Sequence, residues 1–286
     1  MKIITRTIYG SQLQTSKLMG IPHVFAPNTT LNEKFDIQSG VYPAADIPPD
    51  LKYIAIGCGG HQAITGADGI PYISPLNHRA SDAALFRHIP FILREVNNDL
   101  SPSQRAKYAL RKLETHNSRN YVAYYLKRLD LAGVRPEMQY SEVIDGVKTT
   151  IPYEPTSANL NPVPPALANT GVISTDGNYL SCTASIPIVL DANDAMELME
   201  VARIIYGNEL YAVISEIGLC TGVDKTVDGP GAGGNTISYM EAIGVQVASH
   251  VTAYYSMSFS NQGITARIDL GATEPLIGES IITTSP

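Results

Sequence analysis

The alternation of apolar and polar residues predicts a chain made mostly of strands. Lys52–Gly57 (KYIAIG) and Leu210–Cys220 (LYAVISEIGLC) are apolar runs typical of buried strands. Met138–Ile144 and Val147–Tyr153 flank Asp145-Gly146, a dipeptide that favours a tight hairpin turn. Other strands are predicted at Tyr121–Leu131, Tyr179–Leu190, Val251–Phe259 and Ile264–Leu270, the last two as a closing hairpin around Asn261-Gln262-Gly263.

Four segments have the spacing or the end signals of helices. Ser81–Val96 has apolar residues at helical spacing, with Ser81 as its cap and Pro90 as an expected kink. Ser101-Pro102-Ser103-Gln104 has the residues of a capping box and predicts a helix that continues to Glu114. The other two are predicted from Asp191 or Asn193 to Tyr206, ended by Gly207, and from Ser238 to Ser249.

This mixture predicts an α+β fold with mostly antiparallel sheets, a few helices and two subdomains. Residues 1–50 contain five prolines and predict an extended N-terminal arm, which either docks on a neighbour or covers its own domain. Residues 51–151 are expected to form the first α+β subdomain and residues 171–286 the second. Residues 152–170 are predicted to be a proline-rich linker between them.

Charge is divided unevenly along the sequence. Residues 1–148 hold 17 of the 20 Lys and Arg and 13 of the 27 Asp and Glu, a net charge of +4. Residues 149–286 carry a net charge of −11. Because the sign changes near the predicted linker, we expect the split to orient subunits during assembly and to make that assembly salt-sensitive.

Composition fits either a protein whose surface is largely covered by partners or an extracellular β-rich protein. Only 16% of residues are charged, and 16 Tyr stand against 5 Phe, which suits either protein contacts or strands. The three cysteines are far apart and predict buried apolar residues, not a disulfide framework. No apolar run is long enough for a membrane span or a signal peptide.

One glycine-rich segment resembles a nucleotide-binding loop. Residues 229–234 (GPGAGG) match G-x-G-x-x-G before a predicted helix. The preceding strand, however, ends about eight residues earlier, and Pro230 lacks an N–H for a phosphate. A flexible or partner-contacting loop is therefore favoured, and a nucleotide-binding enzyme remains the alternative of another class.

The other candidate chemistry is weak. Cys58 and His61 form one C-x-x-H pair, whereas zinc needs about four ligands, so turn glycines beside a buried cysteine are favoured. One segment crowds five polar residues: His78, Arg79, Ser81, Asp82 and His88. Helix capping accounts for Ser81 and Asp82, and no nucleophile elbow surrounds the serine. We therefore predict no catalytic, cofactor-binding or metal-binding residues and no enzyme activity.

A basic stretch raises the question of nucleic acid. Residues 79–135 hold eleven Lys and Arg with several tyrosines, a combination that suits a nucleic-acid backbone and stacked bases. Five acidic residues lie in the same stretch and reduce its net charge to +6. A basic patch that faces an acidic neighbour, or a solvated face, is favoured over nucleic-acid binding.

Six segments spread over most of the chain carry a resemblance to a known class of proteins. They are Thr5–Gly10 (TRTIYG), Ala26–Asn32 (APNTTLN), His78–Phe86 (HRASDAALF), Pro90–Glu95 (PFILRE), Tyr124–Asp130 (YYLKRLD) and Ala272–Leu276 (ATEPL). These segments resemble virion structural proteins of large contractile-tailed bacteriophages, and none of them is a mechanistic motif.

The resemblance implies a multi-copy virion component that is made in the host cytoplasm and located in the tail. A baseplate wedge or tail protein is the first choice and a neck or connector protein the second. Its partners would be itself and other virion structural proteins, and the resemblance implies no cofactor and no active site. It supplies no functional residues that could be transferred to this chain.

Overall fold

The computed structural model describes residues 3–144, 147–163, 178–259 and 262–275. The strands in these ranges are β1 Ile3–Arg6, β2 Asp50–Gly57, β3 His61–Thr65, β4 Pro71–Pro75, β5 His88–Ile89, β6 Ile92–Glu95, β7 Tyr108–His116, β8 Arg119–Arg128, β9 Glu137–Ile144, β10 Val147–Pro152, β11 Tyr179–Leu190, β12 Val213–Pro230, β13 Thr236–Ser256 and β14 Ile264–Pro275. The helices are α1 Ile8–Met19, α2 Leu31–Phe35, α3 Pro102–Arg105 and α4 Ala192–Tyr206. Short 3-10 turns connect some of them.

The predicted α+β class with mostly antiparallel sheets and a few helices is confirmed. An eight-stranded sheet has the order β1-β13-β12-β2-β8-β6, with β5 beside β2 and β7 beside β8. A four-stranded sheet has the order β10-β9-β11-β14, and β3 and β4 form a separate two-stranded sheet. The long β12 and β13 pair antiparallel from Val213 opposite Ser256 to Pro230 opposite Thr236.

The chain forms two compact units whose bounds differ from the predicted subdomains. Unit 1 comprises Met1–Asp130 and Val189–Thr265, and unit 2 comprises Leu131–Ile188 and Ala266–Pro286. The boundaries differ because β12 and β13, from the second half of the chain, lie in the large sheet between β1 and β2. Of the predicted linker at 152–170, residues 164–170 lie outside the described residues, and Ser157–Leu160 form a 3-10 turn.

Of the two alternatives for residues 1–50, the structure supports a segment that covers its own domain, although its described part is not extended throughout. Its described part contains β1, paired with β13, and two capped helices. Thr30 and Glu33 form a reciprocal capping box on α2, so this helix has a well-defined start. The buried Asn32 amide donates to the carbonyls of Ile37 and Ala242 and accepts from Val245 N–H. Hydrogen bonds of this kind tie residues 3–50 to unit 1.

One large hydrophobic cluster packs against the sheet of unit 1. Side chains from β2, β7, β8, β12 and β13 pack there with Leu31 and Phe35 of α2 and with Val201 of α4. The Phe35 and Tyr125 rings stack with their centroids 4.2 Å apart. This packing fixes α2 and α4 against the sheet and holds the loops between the strands.

Three helix predictions fail, because strand pairing satisfies the backbone there. Ser81–Val96 contains β5 and β6, which pair with β2 and β8, and Pro90 could not have completed a helical ladder. The capping box at Ser101–Gln104 is present, but α3 ends at Arg105 and β7 follows. The segment 238–249 lies in β13, where apolar and β-branched residues pair with β12.

Several other predictions are confirmed. The strand at 52–57 is β2, Tyr121–Leu131 contains most of β8, and Tyr179–Leu190 is β11. Helix α4 begins after the Asp191 cap and ends at Gly207 in the left-handed region. Strands β9 and β10 pair as the predicted hairpin, although Asp145 and Gly146 lie outside the described residues.

The predicted closing hairpin of 251–259 and 264–270 was wrong. In the described sheets β14 pairs with β11, whereas β13 pairs with β1 and β12. Strand β14 instead contributes to unit 2, where Ala266 and Ile268 are buried. The other buried apolar side chains of that small sheet include Tyr140, Ile186 and Ile188.

The charge split of the sequence is neutralised within unit 1. Arg94 pairs with Glu197, Lys127 with Asp194 and Arg128 with Asp224, each joining a basic residue of the first half to an acidic residue of the second. By sequence, unit 1 holds 17 Lys and Arg against 19 Asp and Glu, and unit 2 holds 3 against 8. The net charges of units 1 and 2 are therefore −2 and −5. The contrast between the two halves of the sequence, +4 against −11, is not a contrast between the folded units.

Candidate functional site

The most developed polar cluster of unit 1 is built around Glu216 in the middle of β12. Its carboxylate is fully buried and accepts backbone N–H bonds from Gly59 at 2.6 Å, Phe86 at 2.7 Å and Arg87 at 3.2 Å. The fourth group is His78, whose Nε2 lies 2.8 Å from Glu216 Oε2. Glu216 therefore joins the loops after β2 and before β5 to the central sheet.

His78 links two carboxylates. Its Nδ1 lies 3.1 Å from Asp82 Oδ2, which also accepts the backbone N–H of Arg79 at 2.9 Å. These contacts, together with nearby histidines, hold the pKa of Asp82 below its usual range despite partial burial, which acts in the opposite direction. His78 thus bridges the Glu216 and Asp82 carboxyl groups through its two ring nitrogens.

Aromatic rings cover both faces of His78. Phe86 and His250 each stack on it at a centroid distance of 3.9 Å. Burial lowers the pKa of His250 to about 4, although its contact with the Asp82 carbonyl opposes this shift. Burial also lowers the pKa of His88 to about 3, and its Nε2 accepts the Leu85 N–H. The His78 ring therefore lies beside two histidines that burial keeps neutral at pH 7.

Close packing explains the glycines of the sequence Cys58-Gly59-Gly60-His61. A Cβ on Gly59 would lie 2.8 Å from Arg87 N and 2.9 Å from Glu216 Oε1, and one on Gly60 would overlap the Ser215 carbonyl. Gly60 N–H also donates to the Ser215 hydroxyl at 2.9 Å. The C-x-x-H spacing thus results from backbone packing against Glu216, as the turn interpretation predicts.

Cys58 borders a cavity of about 540 Å³ in unit 1. The cavity is lined by Cys58, Gly59, His61, Arg87, Tyr206, Tyr211 and Val213. Cys58 Sγ lies 3.5 Å from the Tyr206 hydroxyl, and burial raises the pKa of the thiol. The N–H groups of Gly59 and Gly60 are already bonded to Glu216 and Ser215, so this turn offers no free oxyanion donors.

Metal binding has no support in the described ranges. No group of three or more His, Cys, Asp or Glu side chains in the part of the chain that the structure describes could hold a metal ion. Of the cysteines, Cys220 is buried, Cys58 is half-buried and Cys182 is exposed. The prediction that all three are buried is therefore confirmed for Cys220, is wrong for Cys182 at an exposed position of β11, and is met only in part for Cys58.

A second buried carboxylate, Glu241 of β13, holds an irregular point of β7. It accepts the N–H groups of Leu110 at 2.5 Å, Arg111 at 3.0 Å and Ala242 at 2.8 Å. Leu110 has a φ of 52°, in the left-handed region that non-glycine residues rarely adopt. Burial raises the pKa of Glu241, while the three N–H donors oppose that shift. Its position and bonding indicate a structural role.

The glycine-rich segment 229–234 is a hairpin turn. It joins β12 to β13 directly, so the helix that a pyrophosphate would need after it is absent. Gly231 N–H donates to Asn235 O, and Gly233 and Gly234 have φ values of 65° and 81°. Arg111 donates to the Pro230 carbonyl at 2.8 Å. The geometry favours the loop interpretation over a nucleotide site.

The basic stretch at 79–135 is largely neutralised. Seven of its eleven cations pair with carboxylates: Arg94, Arg105, Arg111, Lys112, Arg119, Lys127 and Arg128. Asp99 alone receives Arg111 at 2.9 Å and Arg105 at 3.5 Å. A nucleic-acid surface needs free cations in a row, and this arrangement provides few.

Two apolar surfaces of unit 1 are exposed. The β3–β4 hairpin (residues 61–75) contains no buried residue, and it exposes Ile70, Tyr72 and Ile73. The second surface, which we call the α1 patch, comprises Ile8, Leu18, Met19, Ile21 and Val24, and Leu18 is 87% exposed. Part of it lines a cavity with Gln12 and Thr15. No helix of the described residues is long and apolar enough to cross a membrane.

The residue that organises the sequence-predicted candidates is Glu216, which the sequence patterns did not single out. These candidates are His78, Asp82, His88, Cys58 and His61. The structure brings His78 and Asp82 together, and His88 lies near them with its own partner. Glu216 and His250 were overlooked, although a Glu within the apolar run Leu210–Cys220 is a signal, since charges are seldom buried without partners. Ser81 does not cap a helix, and its carbonyl accepts the Tyr9 hydroxyl instead.

Comparison with known proteins gives a family without an assigned function. A family model, described as a family of unknown function (DUF7208), matches residues 1–285, so the chain belongs to this family. No curated protein matches the chain. No solved structure matches it.

Proposed function

We propose that this DUF7208 protein is a structural component of a tailed bacteriophage virion, present in many copies and joined to its neighbours by protein–protein contacts. Within the contractile tail, a baseplate wedge or tail protein is the first choice and a neck or connector protein the second. The resemblance of six segments, from Thr5–Gly10 to Ala272–Leu276, supports the virion context. Partners are other copies of the chain and other virion proteins.

The β3–β4 hairpin is the observation that carries this proposal. An isolated two-stranded hairpin is marginally stable in water, and this one buries none of its own side chains. It is fastened at its base, where Leu76 N–H donates to the Gly60 carbonyl and Thr252 Oγ1 donates to the Leu76 carbonyl. Ile70, Tyr72 and Ile73 would be covered by packing on a neighbouring subunit.

The polar cluster supports a structural role over catalysis. Glu216 already accepts from three backbone N–H groups and from His78, and His78 bonds Asp82 as well. A catalytic side chain needs a donor or acceptor that is free to contact a substrate. In this cluster the polar atoms are already hydrogen-bonded to the loops that they hold together. The alternative of a nucleotide-binding enzyme is disfavoured by residues 229–234, which join β12 to β13 as a hairpin turn and do not precede a helix.

Mass spectrometry of purified phage particles tests the proposal. Particles of the phage that encodes this chain, banded on a density gradient, are expected to contain it in many copies. Separated tails should retain it, and a head–neck fraction that retains it instead would favour the neck or connector. Detection only in the lysate of infected cells, with none in banded particles, would refute the virion role.

A further inference from the structure

The cavity beside Cys58 has the chemistry of a small-molecule site. Its volume of about 540 Å³ lies in the range of ligand pockets. Tyr206 and Tyr211 form a corner, with ring centroids 5.7 Å apart and planes at 58°, and Val213 adds an aliphatic wall. We propose that this cavity binds a small organic carboxylate with a planar apolar body, fixed by Arg87.

One lining residue carries the charge of the cavity. Burial raises the pKa of Cys58 and of Tyr206, so both are protonated and neutral at pH 7. Burial lowers the pKa of His61, so its ring is neutral as well. Arg87 therefore supplies a single positive charge, and an anion is the complementary ligand.

The Arg87 guanidinium has no carboxylate partner among the residues that the structure describes. Arg119, in a larger cavity of about 850 Å³, differs because Glu95 pairs with it at 2.9 Å. Glu216 bonds the backbone of the lining residues Gly59 and Arg87, but its carboxylate is fully buried and does not line the cavity. A ligand carboxylate would give the Arg87 side chain the bidentate partner that its geometry suits.

The other lining residues determine which ligand charge and which apolar group the cavity suits. The single positive charge of Arg87 can pair with one negative charge, so a monoanion suits the cavity. The second charge of a dianionic phosphate would be desolvated against neutral walls without a partner, which is unfavourable. Two tyrosine rings set at an angle offer one face and one edge to a planar group. Benzoate has both features, and benzyl alcohol keeps the ring without the charge.

Alkylation of Cys58 reports occupancy of the cavity. The full-length protein is treated with iodoacetamide at about pH 8.5, with and without benzoate, and labelling of each cysteine is followed by peptide mass spectrometry. At about 10 mM benzoate a Kd of roughly 1 mM slows Cys58 labelling by about tenfold. Exposed Cys182 in unit 2 is the internal control and should react at an unchanged rate.

Two variants separate the contribution of Arg87 from general charge effects. Arg87→Gln should abolish protection by benzoate, and Arg79→Gln, which removes a charge outside the cavity lining, should retain it. Benzyl alcohol and inorganic phosphate should protect at least fivefold less than benzoate. Saturation-transfer NMR on benzoate gives a second readout that does not depend on the reactivity of the thiol, with the signal lost in Arg87→Gln.

Several outcomes would overturn the proposal. They are equal protection by benzoate and benzyl alcohol, equal protection by benzoate and phosphate, protection that persists in Arg87→Gln, and the absence of both protection and an NMR signal. The site does not depend on the proposed virion role, because occupancy is measured on the isolated protein.

Discussion

At the scale of single residues, the buried Glu216 carboxylate decides how the loops of unit 1 are held. It accepts the backbone N–H groups of Gly59, Phe86 and Arg87, which lie outside the β-strands. For these three N–H groups the carboxylate takes the place of a backbone carbonyl. A buried N–H that loses its acceptor costs about 1–3 kcal/mol. The loops after β2 and before β5 are therefore stabilised by one side chain of β12.

Replacing Glu216 should destabilise unit 1 strongly. We expect Glu216→Ala to lower the free energy of unfolding by at least about 3 kcal/mol, because three buried backbone N–H groups lose their acceptor and His78 loses a hydrogen-bond partner. Glu95→Ala, which removes an exposed carboxylate, is the matched control and should stay within about 0.5 kcal/mol. Urea denaturation measures both, and equal effects would contradict the assigned role.

His250 should make stability depend on acid. The pKa of His250 is about 4 in the folded protein and 6.5 as a free residue, so the folded state disfavours its protonation. The stability contributed by neutral His250 is complete above pH 6.5 and is lost as the pH falls towards 4. The loss approaches about 1.4 kcal/mol per pH unit for this one group. His78, Asp82 and Glu216 are the titratable groups that face it.

The variant His250→Gln tests this dependence. A glutamine amide can still donate to the Asp82 carbonyl, which His250 Nε2 contacts at 3.0 Å, but it does not titrate. Urea denaturation at about pH 7, 5.5 and 4.5 should give a smaller decrease in the variant than in the wild type, by roughly 2 kcal/mol over this range. His88 remains and keeps part of the dependence. Parallel pH profiles would refute the contribution of His250.

At the scale of elements, substitutions in the β3–β4 hairpin should weaken association without destabilising the fold. Substituting Ile70, Tyr72 and Ile73 together by Ser should reduce self-association or incorporation into particles by at least about tenfold, since exposed apolar area is lost. The free energy of unfolding should change by less than about 1 kcal/mol, because none of the three is buried.

Sedimentation velocity and denaturation of the same samples measure the two effects of the hairpin substitution. Met196→Gln removes an exposed apolar side chain of α4 and serves as the control with unchanged association. If the triple variant associated like the wild type, and entered particles equally, the hairpin would not be an assembly surface.

The sequence predicted elements whose end signals are local and missed elements decided by distant pairing. Asp191 and Gly207 mark the two ends of α4. The Asp191 side chain accepts the Asp194 N–H, and Gly207 N–H donates to the Arg203 carbonyl, so both signals act within one helical turn. Ser101–Gln104 likewise starts α3, yet nothing local shows that β8 captures the following residues as β7. Strand β13 shows the same limit, because its partner β12 supplies the hydrogen bonds that override a helical spacing.

The candidate site divides in the same way. The glycines at 59 and 60 and the pair His78 and Asp82 are visible in the sequence, since they are close together. Glu216 and His250 lie more than 130 residues further on, and only the fold places them beside His78. Glu216 could have been flagged as a charge inside an apolar run, but its partners could not.

At the scale of the whole molecule, the ion pairs alter the meaning of the uneven charge. Arg94, Lys127 and Arg128 bind acids from the second half of the chain within unit 1. The charges expected to orient subunits are therefore used inside the subunit. Both units carry net negative charge by sequence, so electrostatic attraction between like units is weak at best.

Association should accordingly resist salt. We expect self-association or co-assembly at about 0.5 M NaCl to be at least as strong as at about 0.05 M, because apolar contacts strengthen and like charges are screened. Sedimentation velocity at the two salt concentrations measures this, with circular dichroism as the control for folding. Dissociation at high salt would contradict this prediction and would indicate that charge pairing between subunits drives association.

The sheet order also has a consequence for synthesis on the ribosome. Strand β1 reaches β2 only through β13 and β12, so the large sheet cannot close until residues near Ser256 have left the exit tunnel. At about 5–20 residues per second, roughly ten seconds or more pass between the emergence of β2 and that of its partner β12. During this interval β2 can pair with β5 and β8, whereas its edge towards β12 has no partner. We therefore expect the large sheet to be completed only late in synthesis or after it.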